Sequence, residues 1–153
     1  MNCHSVLAEL WVGSDPREAE DFEILKAKGI TAILSLQTED DLRDRGIGWE
    51  ARGAVRAGLI FANVPVTDFD AKDLRLKLAD CVKELDRLMK AGHTVYVHCT
   101  AGVSRSPTVV VAYLHWCLTW DLGEALVHIQ DVHICSPSLE TIRQVKWLGS
   151  ERG

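Results

Sequence analysis

Residues 94–118 read TVYVHCTAGVSRSPTVVVAYLHWCL, and this stretch predicts a strand, a short loop and a helix in succession. The opening segment, Thr94-Val95-Tyr96-Val97-His98, is short and rich in β-branched and aromatic residues, as buried strands are. Residues 107–118 are apolar on nearly every side, which predicts a buried central helix. The loop between them contains Gly102 and lies where an α/β sheet places its ligands, at the carboxyl end of a strand.

The same alternation of strands and helices extends outward along the chain. Further extended segments are predicted at 6–12, 30–36 and 59–64, and further helices at 16–28, 73–90, 122–132 and 137–148. Asp15-Pro16 and Ser136-Pro137 are expected to act as N-cap and first turn of the first and last helix. The mixed-sign charged run 39–45 predicts a solvated helix. We therefore expect an α/β fold with a central, largely parallel sheet of about four to five strands flanked by helices, as a single domain over residues 1–153.

Composition narrows the classes of partner. The net charge is −5 and the sequence pI is about 5.6, so the chain lacks the basic footprint of a nucleic-acid-binding protein. Five cysteines form no C-x-x-C pair, which is typical of a reduced, intracellular protein. No signal peptide and no uncharged apolar run of membrane-spanning length is visible. We expect a cytoplasmic monomer with no nucleic-acid or membrane partner.

The loop after His98 combines three groups suited to phosphate chemistry. Successive backbone N–H groups of such a loop, with a helix N-terminus behind them, form an anion-binding nest. Helix-end potential and a nearby guanidinium favour the thiolate form of Cys99. Arg105 presents a planar fork that can clamp two phosphate oxygens. Ser106 can donate a hydrogen bond to the sulfur when the thiol must leave.

The pattern His98-Cys99-x-x-Gly102-x-x-Arg105-Ser106 resembles the signature of Cys-dependent protein tyrosine phosphatases, and the loop wording is similar to their dual-specificity branch. The resemblance runs from Trp11 to about Trp147. It implies a dual-specificity phosphatase-like fold, with Cys99 as nucleophile and no cofactor or metal. It further implies that the phosphoryl group is bound by the loop residues Thr100, Ala101, Gly102, Val103, Ser104 and Arg105.

The resemblance also implies a general acid on a separate loop, and Asp68-Phe69-Asp70 matches that element. A positioned carboxyl there would protonate the leaving oxygen and later activate water. Asp68 is the predicted acid. Asp70 is the alternative acid, although Asp70 or Asp73 could instead cap the helix that follows.

Within the branch, the sequence most resembles plant glucan phosphatases, in residues 68–75 and 34–42. In that family the aromatic residue after the acid packs on glucan, so Phe69 is a predicted substrate-binding residue, or else a hydrophobic peg for its loop. Trp49 lies near the region where the family recognises substrate and is a second such candidate. Three departures weaken this resemblance. Arg43-Asp44-Arg45 and Ser136 stand where glucan enzymes carry aromatics, whose loss should lower polysaccharide affinity. Ser104-Arg105-Ser106 is nearer to phosphoprotein-directed members, since glucan enzymes tend to place Gly before the Arg.

The expected function is hydrolysis of phosphomonoesters through a phosphocysteine intermediate, on a phosphoglucan or a phosphoprotein. The alternative from a different class is a non-catalytic module that binds a phosphorylated ligand. Neutral side chains in the loop argue against highly anionic inositol phosphates. His128, His133 and Cys135 do not match zinc-site spacing and are interpreted as structural. His98 is expected to orient the loop by hydrogen bonding.

Overall fold

A five-stranded sheet forms the centre of the computed structural model, which describes residues 1–46 and 48–149. The strands are β1 (Cys3–Leu7), β2 (Leu10–Gly13), β3 (Ala32–Ser35), β4 (Ile60–Asn63) and β5 (Val95–His98). Their order across the sheet is β1-β2-β5-β3-β4. The β2–β5, β5–β3 and β3–β4 pairs are parallel, and β1–β2 is antiparallel. The largely parallel sheet expected from the sequence is confirmed.

The N-terminal hairpin corrects one sequence prediction. Residues 6–12 were expected to form one extended segment, but the chain reverses between β1 and β2. The reversal places Asn2 beside the end of β2, where its carbonyl accepts hydrogen bonds from Ser14 N at 2.9 Å and Tyr96 Oη at 3.0 Å. Gly13 faces this carbonyl so closely that a Cβ at position 13 would lie 1.7 Å from it. This packing leaves no room for a side chain at Gly13.

In the described part of the chain, six helices cover the two faces of the sheet. They are α1 (Ala19–Ala27), α2 (Trp49–Arg56), α3 (Ala71–Lys90), α4 (Arg105–Trp116), α5 (Leu122–Val132) and α6 (Leu139–Gln144). Side chains alternate along each strand, so Ile33 and Tyr96 face one layer while Leu34 and Val97 face the other. The first layer holds α1 and α2, and the second holds α3 to α6 around the buried α4.

The helix starts differ from the proline-based expectation. Glu18 rather than Asp15 is the N-cap of α1, and Ser138 rather than Ser136 is the N-cap of α6. Asp15 is instead buried beside the loop that follows β5, where its amide donates to Thr100 O at 3.0 Å. The pairs Asp15-Pro16 and Ser136-Pro137 therefore lie in the loops before α1 and α6 and do not start these helices.

Helix α2 was not predicted, because Gly53 interrupts its pattern. A Cβ at position 53 would lie 2.3 Å from the ring of Phe22 on α1. The glycine thus permits α1 and α2 to pack closely. The charged run 39–45 forms only a single 3₁₀ turn, Asp40–Leu42, and it is not fully solvated as expected, because the side chain of Asp41 is turned inward and is 10% exposed.

Candidate active site

Residues 99–104, between β5 and α4, form a loop that we call the phosphate loop, and it is fixed through its carbonyl groups. Cys99 O accepts from His98 Nδ1 at 2.8 Å, and Thr100 O accepts from Asp15 N at 3.0 Å. Gly102 O accepts from His133 Nε2 at 2.7 Å, and Val103 O accepts from the amide of Ser136 at 2.7 Å. These carbonyls are therefore held on the outer side of the loop by several different parts of the fold.

The amide groups of the same loop are arranged in the opposite way. None of the N–H groups of residues 100–104 donates a hydrogen bond to a described residue. Helix α4 begins directly afterwards, and its N-cap Ser104 makes no side-chain capping bond. A run of unpaired amides that ends at a helix N-terminus is a ready anion-binding site.

Cys99 lies at the start of this loop with 3% of its surface exposed. Its Sγ is 3.3 Å from Ser106 Oγ, which is also 3.3 Å from Gly13 O. The hydroxyl is therefore held between a backbone carbonyl and the sulfur. In this position Ser106 can donate a proton to hydrogen-bond a sulfur anion.

Arg105 turns back over the loop and is 3% exposed. Its Nη1 donates to Asp41 Oδ2 at 2.9 Å and to Val66 O at 2.7 Å. Its Nη2 lies 3.2 Å from Asp68 Oδ2. The Nε–H is buried and has no partner among the described residues, so one edge of the guanidinium is still able to donate to an anion.

His98 supports the loop from below, as its expected orienting role requires. Its Nε2 is 2.6 Å from Glu50 Oε2, and both side chains are buried. Burial lowers the pKa of the His98 imidazole, but the Glu50 carboxylate and the carbonyl of Cys99 outweigh burial and raise the pKa above its ordinary value. The imidazolium can then donate from both nitrogens, one to Glu50 and one to the loop.

The two predicted acids of the acid loop, residues 67–70, differ in the contacts that they make. Asp68 reaches Arg105, and its Oδ1 accepts from Phe69 N at 3.1 Å. Asp70 is the N-cap of α3, where its Oδ1 accepts from Asp73 N at 3.0 Å. Asp73 in turn accepts from Thr67 N at 2.8 Å. Only Asp68 of the two is directed at the phosphate loop, whereas Asp70 has the capping role that was its alternative interpretation.

A cleft of about 280 Å³ opens between the acid loop and the phosphate loop. It is lined by the hydroxyls of Thr67, Ser104, Ser138 and Thr141, by Phe69, and by Asp68, Asp70 and Arg105. Phe69 is fully exposed and has φ of 58°. Because an aromatic residue rarely adopts this conformation, the loop holds the ring outward at a cost in backbone strain.

Trp49 does not line this cleft. It is the first residue of α2. The centroid of the Trp49 ring lies 5.4 Å from that of Phe22 and 5.2 Å from the Arg45 guanidinium. Trp49 borders a separate cleft of about 320 Å³ between α1 and α2. The structure therefore does not bring Trp49 together with the other predicted site residues.

Two charged residues at the site were missed by the sequence analysis. Glu50 belongs to the unpredicted helix α2, so nothing in the sequence pattern indicated its burial. The sequence did contain an indication that Asp41 makes local hydrogen bonds, because Thr38-x-x-Asp41 has the form of a capping box. In the structure Asp41 Oδ2 accepts from Thr38 N at 2.8 Å and Thr38 Oγ1 accepts from Asp41 N at 3.4 Å.

His128 and His133 each hydrogen-bond a backbone carbonyl, as structural histidines do. His133 bonds the loop carbonyl of Gly102, and its Nδ1 is 2.8 Å from Nδ1 of His4. Within residues 1–46 and 48–149, no three His, Cys, Asp or Glu side chains are grouped closely enough to hold a metal ion. Across the same residues, no helix is both long and apolar enough to cross a bilayer. Cys3, Cys81, Cys99 and Cys135 form no disulfide bond among the described residues.

Comparison with known proteins agrees with this geometry. The family described as dual specificity phosphatase, catalytic domain, matches residues 10–149. Phosphoglucan phosphatase LSF1, chloroplastic, of Arabidopsis thaliana is 36% identical over 149 residues, which cover 96% of this chain and 25% of that protein. Phosphoglucan phosphatase DSP4, amyloplastic, of Castanea sativa is 33% identical over 147 residues, covering 94% and 39%. The crystal structure of Tk-PTP in the active form matches with a TM-score of 0.77 at 20% identity, covering 94% of this chain and 95% of that one.

The chain therefore belongs to the dual specificity phosphatase family of Cys-dependent enzymes. The predicted fold class and enzyme class are confirmed by these matches and by the sheet. The chain spans about a quarter to two fifths of the length of its two plant relatives.

Proposed function

We propose that this chain hydrolyses phosphomonoesters through a phosphocysteine intermediate, with a phosphoglucan as substrate and a phosphoprotein as the alternative. The observation that carries the proposal is the convergence of three features around one loop: the Cys99 sulfur, the amides of residues 100–104 and the Nε–H of Arg105, the last two having no partner among the described residues. Such a set of donors around a nucleophile stabilises the charge of a transferring phosphoryl group.

The proposed first step forms one bond and breaks one. The Cys99 thiolate attacks phosphorus in line, the bond from phosphorus to the leaving oxygen breaks, and Asp68 gives its proton to that oxygen. Water then attacks the phosphocysteine while the Asp68 carboxylate takes its proton, and the sulfur leaves as thiolate. The hydroxyl of Ser106, 3.3 Å from Sγ, hydrogen-bonds the departing sulfur.

The cleft beside the loop favours a neutral, hydroxyl-rich leaving group. Its lining contains an exposed aromatic ring, four hydroxyls and two carboxylates, and Arg105 is its one cationic side chain among the described residues. Sugar rings pack on aromatic faces, and their hydroxyls bond to carboxylates and side-chain hydroxyls. Both plant relatives are named as phosphoglucan phosphatases, which supports the same substrate class here.

The experiment compares phosphate release from phosphorylated amylopectin with release from phosphotyrosine and phosphothreonine peptides and from a small aryl phosphate. Higher kcat/KM on amylopectin than on the peptides supports the phosphoglucan substrate, and the reverse order supports a phosphoprotein. Release from no ester contradicts the enzyme and favours the module that only binds phosphorylated ligands. The variant Phe69→Ala should raise KM several-fold for amylopectin and leave the aryl phosphate unchanged, because only the polymer reaches the ring.

A cytoplasmic location and a monomeric state stay predictions. The two plant relatives are named as chloroplastic and amyloplastic, so location is tested directly by imaging the tagged full-length protein in its own cell. Light scattering at micromolar concentration tests the monomer.

A further inference from the structure

Asp41 forms a bidentate pair with the two terminal nitrogens of the Arg105 guanidinium. Its two carboxylate oxygens lie 2.9 Å from Nη1 and 3.2 Å from Nη2, which is the two-pronged geometry that makes Arg–carboxylate pairs strong and directional. Val66 O accepts from the same Nη1 at 2.7 Å. The end of the guanidinium is therefore fully engaged by protein groups.

The side edge of the guanidinium, formed by Nε and Nη2, is left for another acceptor. Nε has no partner among the described residues, and Nη2 lies 3.2 Å from the more exposed Asp68 and 3.3 Å from Thr100 Oγ1. A tetrahedral dianion can receive two parallel hydrogen bonds from such an edge. Asp41 thus occupies the edge that the phosphoryl group does not need.

Asp41 is itself fixed by the chain around it. Thr38 donates to its Oδ2 from the backbone at 2.8 Å and from the hydroxyl at 3.1 Å. Thr100 of the phosphate loop donates to Oδ1 at 2.9 Å. Burial raises the pKa of the Asp41 carboxyl, but hydrogen bonds from Arg105, Thr38 and Thr100 together with the Arg105 charge lower it to about 2. The carboxylate is therefore ionised across the working pH range of an enzyme.

We propose that Asp41 is a positioning residue, which orients Arg105 so that its Nε–Nη2 edge faces the phosphoryl group. The proposal rests on the phosphatase function proposed above. The competing idea is that Asp41 inhibits the enzyme by occupying Arg105. The two ideas predict opposite effects of Asp41 on the binding of an oxyanion. A positioning carboxylate strengthens the binding of an oxyanion, whereas an inhibitory carboxylate weakens it.

The test measures two quantities on Asp41→Asn: kcat/KM for a small aryl phosphate and the inhibition constant of tungstate, a tetrahedral dianion. We expect kcat/KM to fall about 10–100-fold, because a displaced guanidinium misses the transition state, and tungstate to bind about tenfold more weakly. Asp41→Glu should retain more tungstate affinity than Asp41→Asn, since its carboxylate can still reach both nitrogens although its shape is less conservative. Asp40→Asn, on the same turn but exposed, is the charge-matched control and should match wild type.

Three outcomes would overturn the proposal. Tighter tungstate binding in Asp41→Asn would identify Asp41 as a competitor for Arg105. A lower melting temperature with unchanged kcat/KM and inhibition constant would assign Asp41 a purely structural role, as would better retention by Asn than by Glu. Failure of the wild type to hydrolyse any ester would instead contradict the proposed phosphatase function, and tungstate binding measured by calorimetry would still decide the role of Asp41.

Discussion

The two loops that form the site differ in how firmly the fold holds them. The phosphate loop is buried, with Cys99 and Arg105 each 3% exposed, and its carbonyls bond to residues from several parts of the chain. The acid loop is open to solvent, and the Asp68 side chain is 35% exposed. Asp68 contacts the rest of the site through Arg105 and otherwise bonds to Phe69 of its own loop. The nucleophile half is therefore the more firmly held half, with contacts from several parts of the fold, whereas the acid half is held mainly by the start of α3.

The largest effect is expected from the nucleophile half. Cys99→Ser should lower turnover of an aryl phosphate by more than about ten-thousandfold, because the hydroxyl is a far weaker nucleophile than a thiolate. The substitution removes no packing volume of consequence, so the melting temperature should stay within about 2 °C of wild type. Steady-state kinetics and thermal unfolding on the same sample measure both. Activity that survived in Cys99→Ser would remove the basis of the proposed mechanism.

The next largest effect tests which carboxylate of the acid loop is the acid. Asp68→Asn should reduce kcat by about 10²–10³-fold with little change in KM, the usual contribution of a general acid. Asp70→Asn is the matched control and should cost at most about 0.5 kcal/mol of stability, since Asn also caps helices well, with kcat within threefold of wild type. Equal losses of kcat in the two variants, or a larger loss in Asp70→Asn, would move the acid to Asp70.

Substitution of Gly102 tests the rigidity of the phosphate loop itself. Gly102 has φ of +76°, and a Cβ there would lie 2.6 Å from the backbone of Gly13. Gly102→Ala should therefore lower kcat/KM about a hundredfold and the free energy of unfolding by about 2–3 kcal/mol. Gly58→Ala has a similar φ of +81° but no atom within 4 Å of the added carbon, so it should cost only about 1 kcal/mol and leave kcat/KM unchanged.

Gly102→Ala and Gly58→Ala should differ in kcat/KM even if the two variants were equally stable. Equal kcat/KM in Gly102→Ala and wild type would show that the phosphate loop can shift without loss, and the contrast between the loops would fail. Denaturant unfolding together with kinetics on both variants supplies the measurement.

The smallest effect on catalysis is expected from the buried pair beneath the loop. Glu50→Gln should cost about 2 kcal/mol of stability, because it leaves the His98 imidazolium without its charged partner, and should lower kcat only a few-fold. The raised pKa of His98 means that this stabilisation is fully present below pH ~6.5 and is lost as pH rises through the folded-state pKa. The difference in melting temperature between wild type and Glu50→Gln should thus be largest near pH 6 and shrink at alkaline pH. A difference that grew with pH would contradict the pairing.

The sequence was most informative where one local pattern determines the outcome. β5, the loop and α4 are contiguous, and their hydrophobic pattern together with Gly102 defines them without reference to the rest of the chain. The same holds for α5, whose predicted range 122–132 matches the structure. The acid loop was located only by its resemblance to a family, because an Asp-x-Asp segment alone does not distinguish an acid from a helix cap.

The parts that the sequence did not predict depend on contacts between distant segments. Glu50 is buried because its carboxylate pairs with His98 at the end of β5, and α2 itself was hidden by Gly53, which the nearby ring of Phe22 on α1 requires. Asp41 looks like one charge in a solvated run, and two of its partners, Thr100 and Arg105, come from a distant segment of the chain. The hairpin β1–β2 was missed because the turn at Ala8-Glu9 contains none of the Gly, Pro, Asn, Asp or Ser residues that mark turns in a sequence. Propensity and periodicity carry no information on such pairings.

The close packing of Asn2 against Gly13 has a practical consequence for handling the protein. Met1 borders a cleft that also contains Thr100 and Ala101 of the phosphate loop. Residues joined ahead of Met1, whether a tag or other protein sequence, would lie beside that loop, and histidine-rich or acidic residues there would alter its electrostatic potential. Kinetic constants should therefore be collected from C-terminally tagged or tag-cleaved preparations.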